Sequence, residues 1–156
     1  MEIFRVPRRK VAVRITLDDG RCLDGVLYTS TSSPRGHPES VADRLNAREE
    51  EFLPLACGED RFLLNKSGII TVEVPAALEG EDRIDTAGIR EVPVRFTLAG
   101  GASLLGKLCV SMPPERSRVL DFLNAAPRFI PLLSNGQVTL VHRNYIVSVR
   151  SADDEG

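Results

Sequence analysis

Two histidines and three cysteines are the side chains of this chain most capable of metal binding or nucleophilic catalysis. Neither His37 nor His142 has a cysteine or a carboxylate at the spacing that metal ligands usually show. Cys22, Cys57 and Cys109 are an odd number at wide intervals, which fits neither a disulfide framework nor a zinc site. We therefore predict reduced thiols, as is typical of cytoplasmic proteins, and neither a bound metal nor a cofactor.

The sequence also lacks the motifs that usually mark phosphate-binding and hydrolytic enzymes. The pair Gly100-Gly101 is not followed by the Lys-Ser/Thr of a phosphate-binding loop, and its position indicates a turn between two strands. No nucleophile elbow is present. We therefore predict that the chain is not an enzyme and that no residue is catalytic.

Basic residues are concentrated in the second half of the chain. Residues 92–150 carry 7 Lys and Arg against 2 Asp and Glu, whereas residues 76–91 carry 2 against 5. Residues 151–156 carry 3 acidic side chains and no basic one. One interpretation is a face that binds a polyanion such as nucleic acid. The other is that the acidic segments lie over the basic half and neutralise it.

Two pairs of polar residues recur three positions apart, Asp43 with Asn46 and Asp121 with Asn124. In a helix this spacing places both members of a pair on one face, where they could form a polar recognition surface. Alternatively, they stabilise the helix ends, since Asp favours the first turn and Asn can cap the last. Ser40 lies at capping-box spacing from Asp43, and we favour the capping interpretation.

All these residues belong to a sequence that repeats itself. Residues 11–72 align with residues 92–149 with two short gaps, and Val11-Ala-Val-Arg-Ile-Thr-Leu17 corresponds to Val92-Pro-Val-Arg-Phe-Thr-Leu98. In both segments apolar residues alternate with others, as in a strand that buries one face. The repetition indicates two copies of one structural unit.

Each copy is predicted to contain two strands, a short helix and three further strands. A glycine inside each second strand, Gly25 or Gly106, suggests sharp curvature. We expect a mainly β protein with short helices, in which two tandem small barrels pack as a pseudo-dimer because units of about 60 residues bury little core alone. The predicted segments are a first barrel at 1–75, a linker at 76–91, a second barrel at 92–150 and a disordered tail at 151–156.

No part of the sequence predicts insertion into a membrane. The N-terminus has no apolar segment of the kind found in secretory signals. No apolar run approaches the roughly 20 residues of a membrane-spanning helix.

The element order and two motifs resemble the Sm-like family of small, SH3-type β-barrels. The first motif has two strands around an Asp-Gly turn and reads Val11-x-Val-x-Ile-x-Leu-Asp-Asp-Gly-x-x-Leu-x-Gly-x-Leu27. The second has a strand, a one-turn break and a final strand and reads Phe62-Leu-Leu-Asn-Lys-Ser-Gly-Ile-Ile-Thr-Val72. The chain is thus similar to tandem Sm-like domains of an uncharacterised prokaryotic type, although here the helix follows the second strand instead of preceding the first.

The resemblance implies association with other chains. Sm-like units commonly join edge to edge, and exposed edge strands in general accept a further strand. We therefore predict a non-catalytic interaction or assembly module whose edge strands bind a protein partner or further copies of the chain.

Nucleic-acid binding, to RNA or to single strands, is the alternative that the resemblance implies. The basic second copy and the Arg8-Arg9-Lys10 cluster could contact phosphates, and Tyr145 could stack on a base. An arginine-led N-terminus before a β-domain is also similar to the cyclic-dinucleotide-binding PilZ barrels, but their Asp/Asn-x-Ser-x-x-Gly motif is missing. The possible nucleic-acid or partner contacts are Arg8, Arg9, Lys10, Lys66, Arg143 and Tyr145.

Overall fold

The computed structural model of the chain describes residues 8–31, 38–79, 90–110 and 118–152. His37, most of the predicted linker and most of the predicted tail lie outside the described residues. The described strands and α-helices are β1 (Arg8–Leu17), β2 (Cys22–Ser30), α1 (Val41–Asn46), β3 (Phe52–Cys57), β4 (Asp60–Asn65), β5 (Ile69–Pro75), β6 (Arg90–Leu98), β7 (Ser103–Val110), α2 (Val119–Ala125), β8 (Phe129–Ser134), β9 (Gln137–His142) and β10 (Ile146–Ser151). The prediction of a mainly β protein with short helices is confirmed.

The ten strands form one antiparallel sheet in the order β10-β6-β7-β8-β9-β5-β1-β2-β3-β4. The first half contributes β5-β1-β2-β3-β4, and the second half contributes β10-β6-β7-β8-β9, so corresponding strands stand in the same order in both halves. The halves meet where β5 pairs with β9. The sheet stays open, with β10 and β4 at its two ends, and a pair of closed barrels stays a prediction.

The first hairpin shows how the sequence pattern produces the sheet. The alternating residues Val11, Val13, Ile15 and Leu17 of β1 are all buried on one face. β1 pairs with β2 across a tight turn in which Gly20 has a φ of 93°, a left-handed conformation that glycine adopts without strain. The buried face of the hairpin therefore lies over the core of the first half.

The helix α1 begins at the predicted capping box. Ser40 Oγ accepts a hydrogen bond from the Asp43 N–H at 2.9 Å, and Asp43 Oδ2 accepts one from the Ser40 N–H at 3.0 Å. A helix of six residues is too short to be stable alone, so its packing must hold it in place. Val41 and Leu45 supply that packing, since both are fully buried in the first core.

Each half has a hydrophobic core, and the two cores exchange side chains. Phe129, Val138 and Leu140 belong to the second half, yet they pack in the core of the first. In the opposite direction, Ile70 of β5 packs against the core of the second half. Each core is therefore completed by residues from the other half.

None of the helices in the described ranges is long and apolar enough to cross a membrane.

Candidate functional site

The junction between the two halves combines strand pairing, side-chain hydrogen bonds and apolar packing. It is built on the antiparallel pairing of β5 with β9, in which Thr71 faces Val141, Val72 faces Leu140 and Val74 faces Val138. These strands are far apart in sequence, and their pairing joins the five strands of the first half to the five of the second. The junction is thus an example, within one chain, of how one unit of this fold binds another.

Asn46, the last residue of α1, binds the backbone of the second half. Its Oδ1 accepts a hydrogen bond from the Phe129 N–H at 2.8 Å, and its Nδ2 donates to the Phe129 carbonyl at 3.2 Å. One amide side chain therefore satisfies both backbone groups at the start of β8. The recognition interpretation of the Asp/Asn pairs applies to Asn46, while Asp43 acts in the capping box.

Arg128 joins the halves by charge. Its guanidinium lies 3.1 Å from both Oε1 and Oε2 of Glu51 and donates to Ser67 Oγ at 3.0 Å. Hydrogen bonding from Arg128 holds the pKa of the Glu51 carboxyl below its usual range. The bidentate geometry fixes direction as well as charge, which distinguishes it from a loose surface ion pair.

His142 is a buried polar residue of the junction. Its ring stacks on Phe129 at a centroid distance of 4.8 Å, and Tyr145 approaches it at 5.2 Å. Nδ1 lies 2.9 Å from the carbonyl oxygen of Ile69, so Nδ1 carries the proton and Nε2 accepts from Arg128 at 3.4 Å. Burial, together with a smaller repulsion from the Arg128 charge, holds the pKa of His142 below its ordinary value. The imidazole is therefore a neutral structural link.

We expect the protein to lose stability as the pH falls through the ordinary histidine range. A histidine with a lowered folded-state pKa binds its proton more readily in the unfolded chain, where the pKa of the side chain is about 6.5. The stability that the neutral imidazole contributes is therefore fully present above about pH 6.5 and is lost as the pH falls below that value. Denaturant unfolding between about pH 8 and about pH 5 measures the effect, because junction carboxylates such as Glu51 titrate lower.

The matched control is His142→Asn, which places at this position the residue of its counterpart in the first half, Asn65. This variant should be less stable, but its unfolding free energy should vary less with pH over the same interval. An equal slope in the two proteins would contradict the assignment of the effect to His142.

The predicted cluster Arg8-Arg9-Lys10 forms the start of β1. Arg8 and Lys10 are exposed. Arg9 is half-buried, and its guanidinium donates to Thr29 Oγ1 at 3.3 Å and to the Glu39 carbonyl at 3.0 Å. Two of the three cations are thus exposed, and the third is hydrogen-bonded to β2 and to Glu39.

Lys66 lies in the interior and is hydrogen-bonded to backbone carbonyls. Its side chain is fully buried, and Nζ donates to the carbonyls of Arg44 at 2.8 Å and Ala47 at 3.2 Å. Burial holds the pKa of this amine below its ordinary value, opposed in part by Glu50 at 3.9 Å. The ammonium group satisfies carbonyls at the C-terminal end of α1, where a cation is favoured.

Arg143 and Tyr145 also lie near the junction. The Arg143 guanidinium donates to the carbonyl of Ala126. The Tyr145 hydroxyl lies 2.8 Å from both Asp18 Oδ2 and the Ser67 carbonyl of the first half, so it can donate to either. Burial and the neighbouring Asp18 carboxylate raise the pKa of Tyr145. The structure thus places Lys66, Arg143 and Tyr145 near the junction and the Arg8-Arg9-Lys10 cluster on β1.

The strands at the two ends of the sheet are the repeat counterparts of those that meet at the junction. β4 corresponds to β9, and β10 corresponds to β5. Leu63 on β4 is 72% exposed and Val147 on β10 is 67% exposed. Their counterparts at the junction are Leu140, which is fully buried, and Ile70, which packs against the second core.

Phe52 and Leu120 are two more exposed large apolar side chains of the described residues. Phe52 on β3 is 53% exposed and Leu120 on α2 is 58% exposed, whereas their counterparts Phe129 and Ala42 are buried and partly buried in the first core. The fifth exposed large apolar residue of the described chain, Leu105, lies on β7. Four of the five therefore lie at counterparts of residues that are buried in, or packed against, one of the two cores.

Sequence reasoning missed the residues that build the junction. Asn46 had a signal, since the Asp-x-x-Asn pair recurs. Arg128 and His142 had none, because their counterparts Glu51 and Asn65 differ in charge and type.

Among residues 8–31, 38–79, 90–110 and 118–152, no three His, Cys, Asp or Glu side chains are grouped as a metal site requires. No disulfide joins the three cysteines. No protein-family model matches the chain, and neither the curated proteins nor the solved structures include a significant match.

Proposed function

We propose that this chain is a non-catalytic assembly module of the cytoplasm, made of two Sm-like small barrels packed as a pseudo-dimer. It binds another polypeptide chain by adding that chain's strand to β4 or β10, the two ends of its sheet. The observation that carries the proposal is the β5–β9 junction, where this fold already joins two units by strand pairing.

The end strands have the properties that such binding needs. A strand at the end of a sheet presents a row of backbone donors and acceptors to an incoming strand. Leu63 and Val147 add large exposed apolar side chains to these same strands. Strand addition combines the two, since backbone hydrogen bonds supply affinity and side-chain contacts supply specificity.

The hydrogen bonds of the residues predicted to contact nucleic acid favour a protein partner over a nucleic acid. The polar groups of Arg9, Lys66, Arg143 and Tyr145 are all held in hydrogen bonds within the chain. Arg8 and Lys10 alone provide little of the dense positive charge that phosphate binding uses. Nucleic-acid binding stays a prediction of the sequence.

Site-specific photo-crosslinking in the cells that contain the protein tests the proposal. A photoreactive phenylalanine analogue replaces Leu63 in one variant and Val147 in another. The matched control carries it in place of Leu105, which is similarly exposed but lies on the central strand β7. We expect protein adducts of defined mass at 63 and 147 and none at 105.

Equal yields at all three positions, or no protein adduct at 63 and 147, would overturn the proposal. Adducts that nuclease treatment shortens would instead identify nucleic acid as the partner and would also count against it. Mass spectrometry of the adduct identifies the protein that was captured.

A further inference from the structure

We propose that the second half binds a small amphipathic anion, a molecule that carries a carboxylate or a phosphate on an apolar body. The site is a hollow of the sheet beside Gly106, bordered by Arg95 and Arg150. This inference goes beyond the proposed function and does not rest on it, because it concerns a small molecule and not the addition of a strand to the sheet.

The duplication gives the sheet two corresponding hollows of nearly equal size. The first hollow has a volume of about 410 Å³ and the second hollow a volume of about 420 Å³. Each is lined by the strand glycine and the residue before it, which are Gly25 and Asp24 in the first and Gly106 and Leu105 in the second. Hollows of this volume are typical of small-molecule sites in proteins. The two can therefore be compared position by position.

In the first hollow an arginine is matched by carboxylates on both neighbouring strands. Arg14 on β1 faces Glu73 on β5 and Asp24 on β2, and all three residues line the hollow. The Arg14 Nε donates to Asp24 Oδ1 at 2.9 Å. This row of side chains supplies its own counter-charges, so it does not favour an added anion.

The corresponding row in the second half has a different charge. Arg95 on β6 is the counterpart of Arg14, and it faces Arg150 on β10 and Leu105 on β7. An arginine and a leucine thus hold the positions at which the first half has its two carboxylates. Like charges directly across a strand pair repel each other and destabilise a sheet. An anion that contacts both guanidinium groups offsets that repulsion.

The two arginines border the second hollow. Arg95 comes two positions after Pro93, and Arg150 comes two positions before Ala152, so each arginine shares one side of its strand with a residue that lines the hollow. The Ala152 N–H donates to the Pro93 carbonyl at 3.1 Å, which continues the pairing of the two strands. Guanidinium groups at this border suit an oxyanion, because their planar forks bind carboxylates and phosphates with two hydrogen bonds.

The remaining lining of the second hollow suits an apolar body. Leu105 is 53% exposed although β7 lies inside the sheet, and Pro93 and Leu133 line the hollow beside it. The charged side chains of the lining, Lys107 and Glu91, lie 3.7 Å apart and balance each other. A ligand that covers Leu105 removes apolar surface from water, while the two arginines select an anion.

Fluorescence titration with anilinonaphthalene sulfonate tests the site, because this probe joins an oxyanion to apolar rings. Phenylnaphthylamine has the same rings without the charge and is the neutral probe. We expect the native chain to bind one molecule of the sulfonate. Arg95→Gln should weaken that binding roughly fivefold, as for a charge-assisted hydrogen bond near the surface, and leave the neutral probe unchanged.

Matched variants separate the contributions of charge and of apolar contact. Arg14→Gln makes the same change at the counterpart in the first half and should leave the binding of both probes unchanged. Arg150→Gln should act like Arg95→Gln. Leu105→Thr keeps a residue that favours strands and should weaken the binding of both probes. Denaturant unfolding followed by circular dichroism checks that each variant is folded.

Competition identifies the anionic group. Displacement of the sulfonate by octanoate indicates a carboxylate ligand, and displacement by octyl phosphate indicates a phosphate ligand. Displacement by neither, or equal displacement by octanol, would contradict an anion site.

The inference is overturned if the native chain binds no sulfonate, or if Arg14→Gln weakens binding as much as Arg95→Gln. It is also overturned if neither Arg95→Gln nor Arg150→Gln changes the affinity. Arg95 and Leu105 lie on β6 and β7, away from the end strands, so these results leave the photo-crosslinking test of the proposed function unaffected.

Discussion

Replacing Phe129 by alanine should lower the free energy of unfolding by about 3–5 kcal/mol, the usual cost of truncating a fully buried aromatic side chain. Phe129 comes from the second half but is fully buried in the core of the first, where it also stacks on His142. Its removal should open a cavity between the halves. Denaturant unfolding followed by circular dichroism measures the loss.

Phe52→Ala is the matched control, because Phe52 holds the corresponding position in the first half and is half exposed. At concentrations where the chain is monomeric, this variant should unfold within about 0.5 kcal/mol of the native protein. A similar loss in both variants would show that the junction does not bury Phe129 as described. A loss in Phe52→Ala that grows with protein concentration would instead indicate that Phe52 lies in a contact between copies.

Replacing Gly25 or Gly106 by alanine should destabilise the chain by about 1–3 kcal/mol, as overpacking of a close contact usually does. A Cβ at Gly25 would lie 2.7 Å from the carbonyl oxygen of Ala56 on β3. One at Gly106 would lie 2.7 Å from the carbonyl oxygen of Leu133 on β8. Backbone atoms cannot rotate away, so the second and third strands of each half would have to move apart.

Gly68→Ala controls for the general effect of the substitution. The atom nearest to a Cβ at Gly68 would be Oδ1 of Asp18 at 3.3 Å, which belongs to a side chain and not to the backbone. Alanine also lowers the conformational freedom of the unfolded chain, so this variant should be neutral or slightly stabilised. If Gly25→Ala and Gly68→Ala unfold alike in denaturant, the close approach of β2 and β3 is not what requires glycine.

The local parts of the fold were predictable because they depend on neighbours in sequence. The alternation of Val11, Val13, Ile15 and Leu17 predicts a half-buried strand, and Ser40 with Asp43 predicts the start of α1. The strand glycines also have a local signature, since a glycine inside an apolar strand suggests a close backbone approach.

The junction was not predictable in the same way. Pairing of β5 with β9 depends on which distant edges meet, and no periodicity within either strand specifies that. Lys66 illustrates a second limit, because a lysine next to a turn is usually exposed, yet here it is buried and donates to the carbonyls of Arg44 in α1 and of Ala47 just after it. The exchange of Phe129, Val138 and Leu140 between cores depends in turn on the junction.

That exchange means that the duplication did not produce two autonomous domains. The core of the first half contains three side chains that the second half supplies, and Ile70 of the first half packs against the core of the second. Cooperative unfolding as a single unit is the expected behaviour of such a chain. The two copies are thus bound to diverge together, since a change of volume at Phe129 must be accommodated by residues encoded in the other copy.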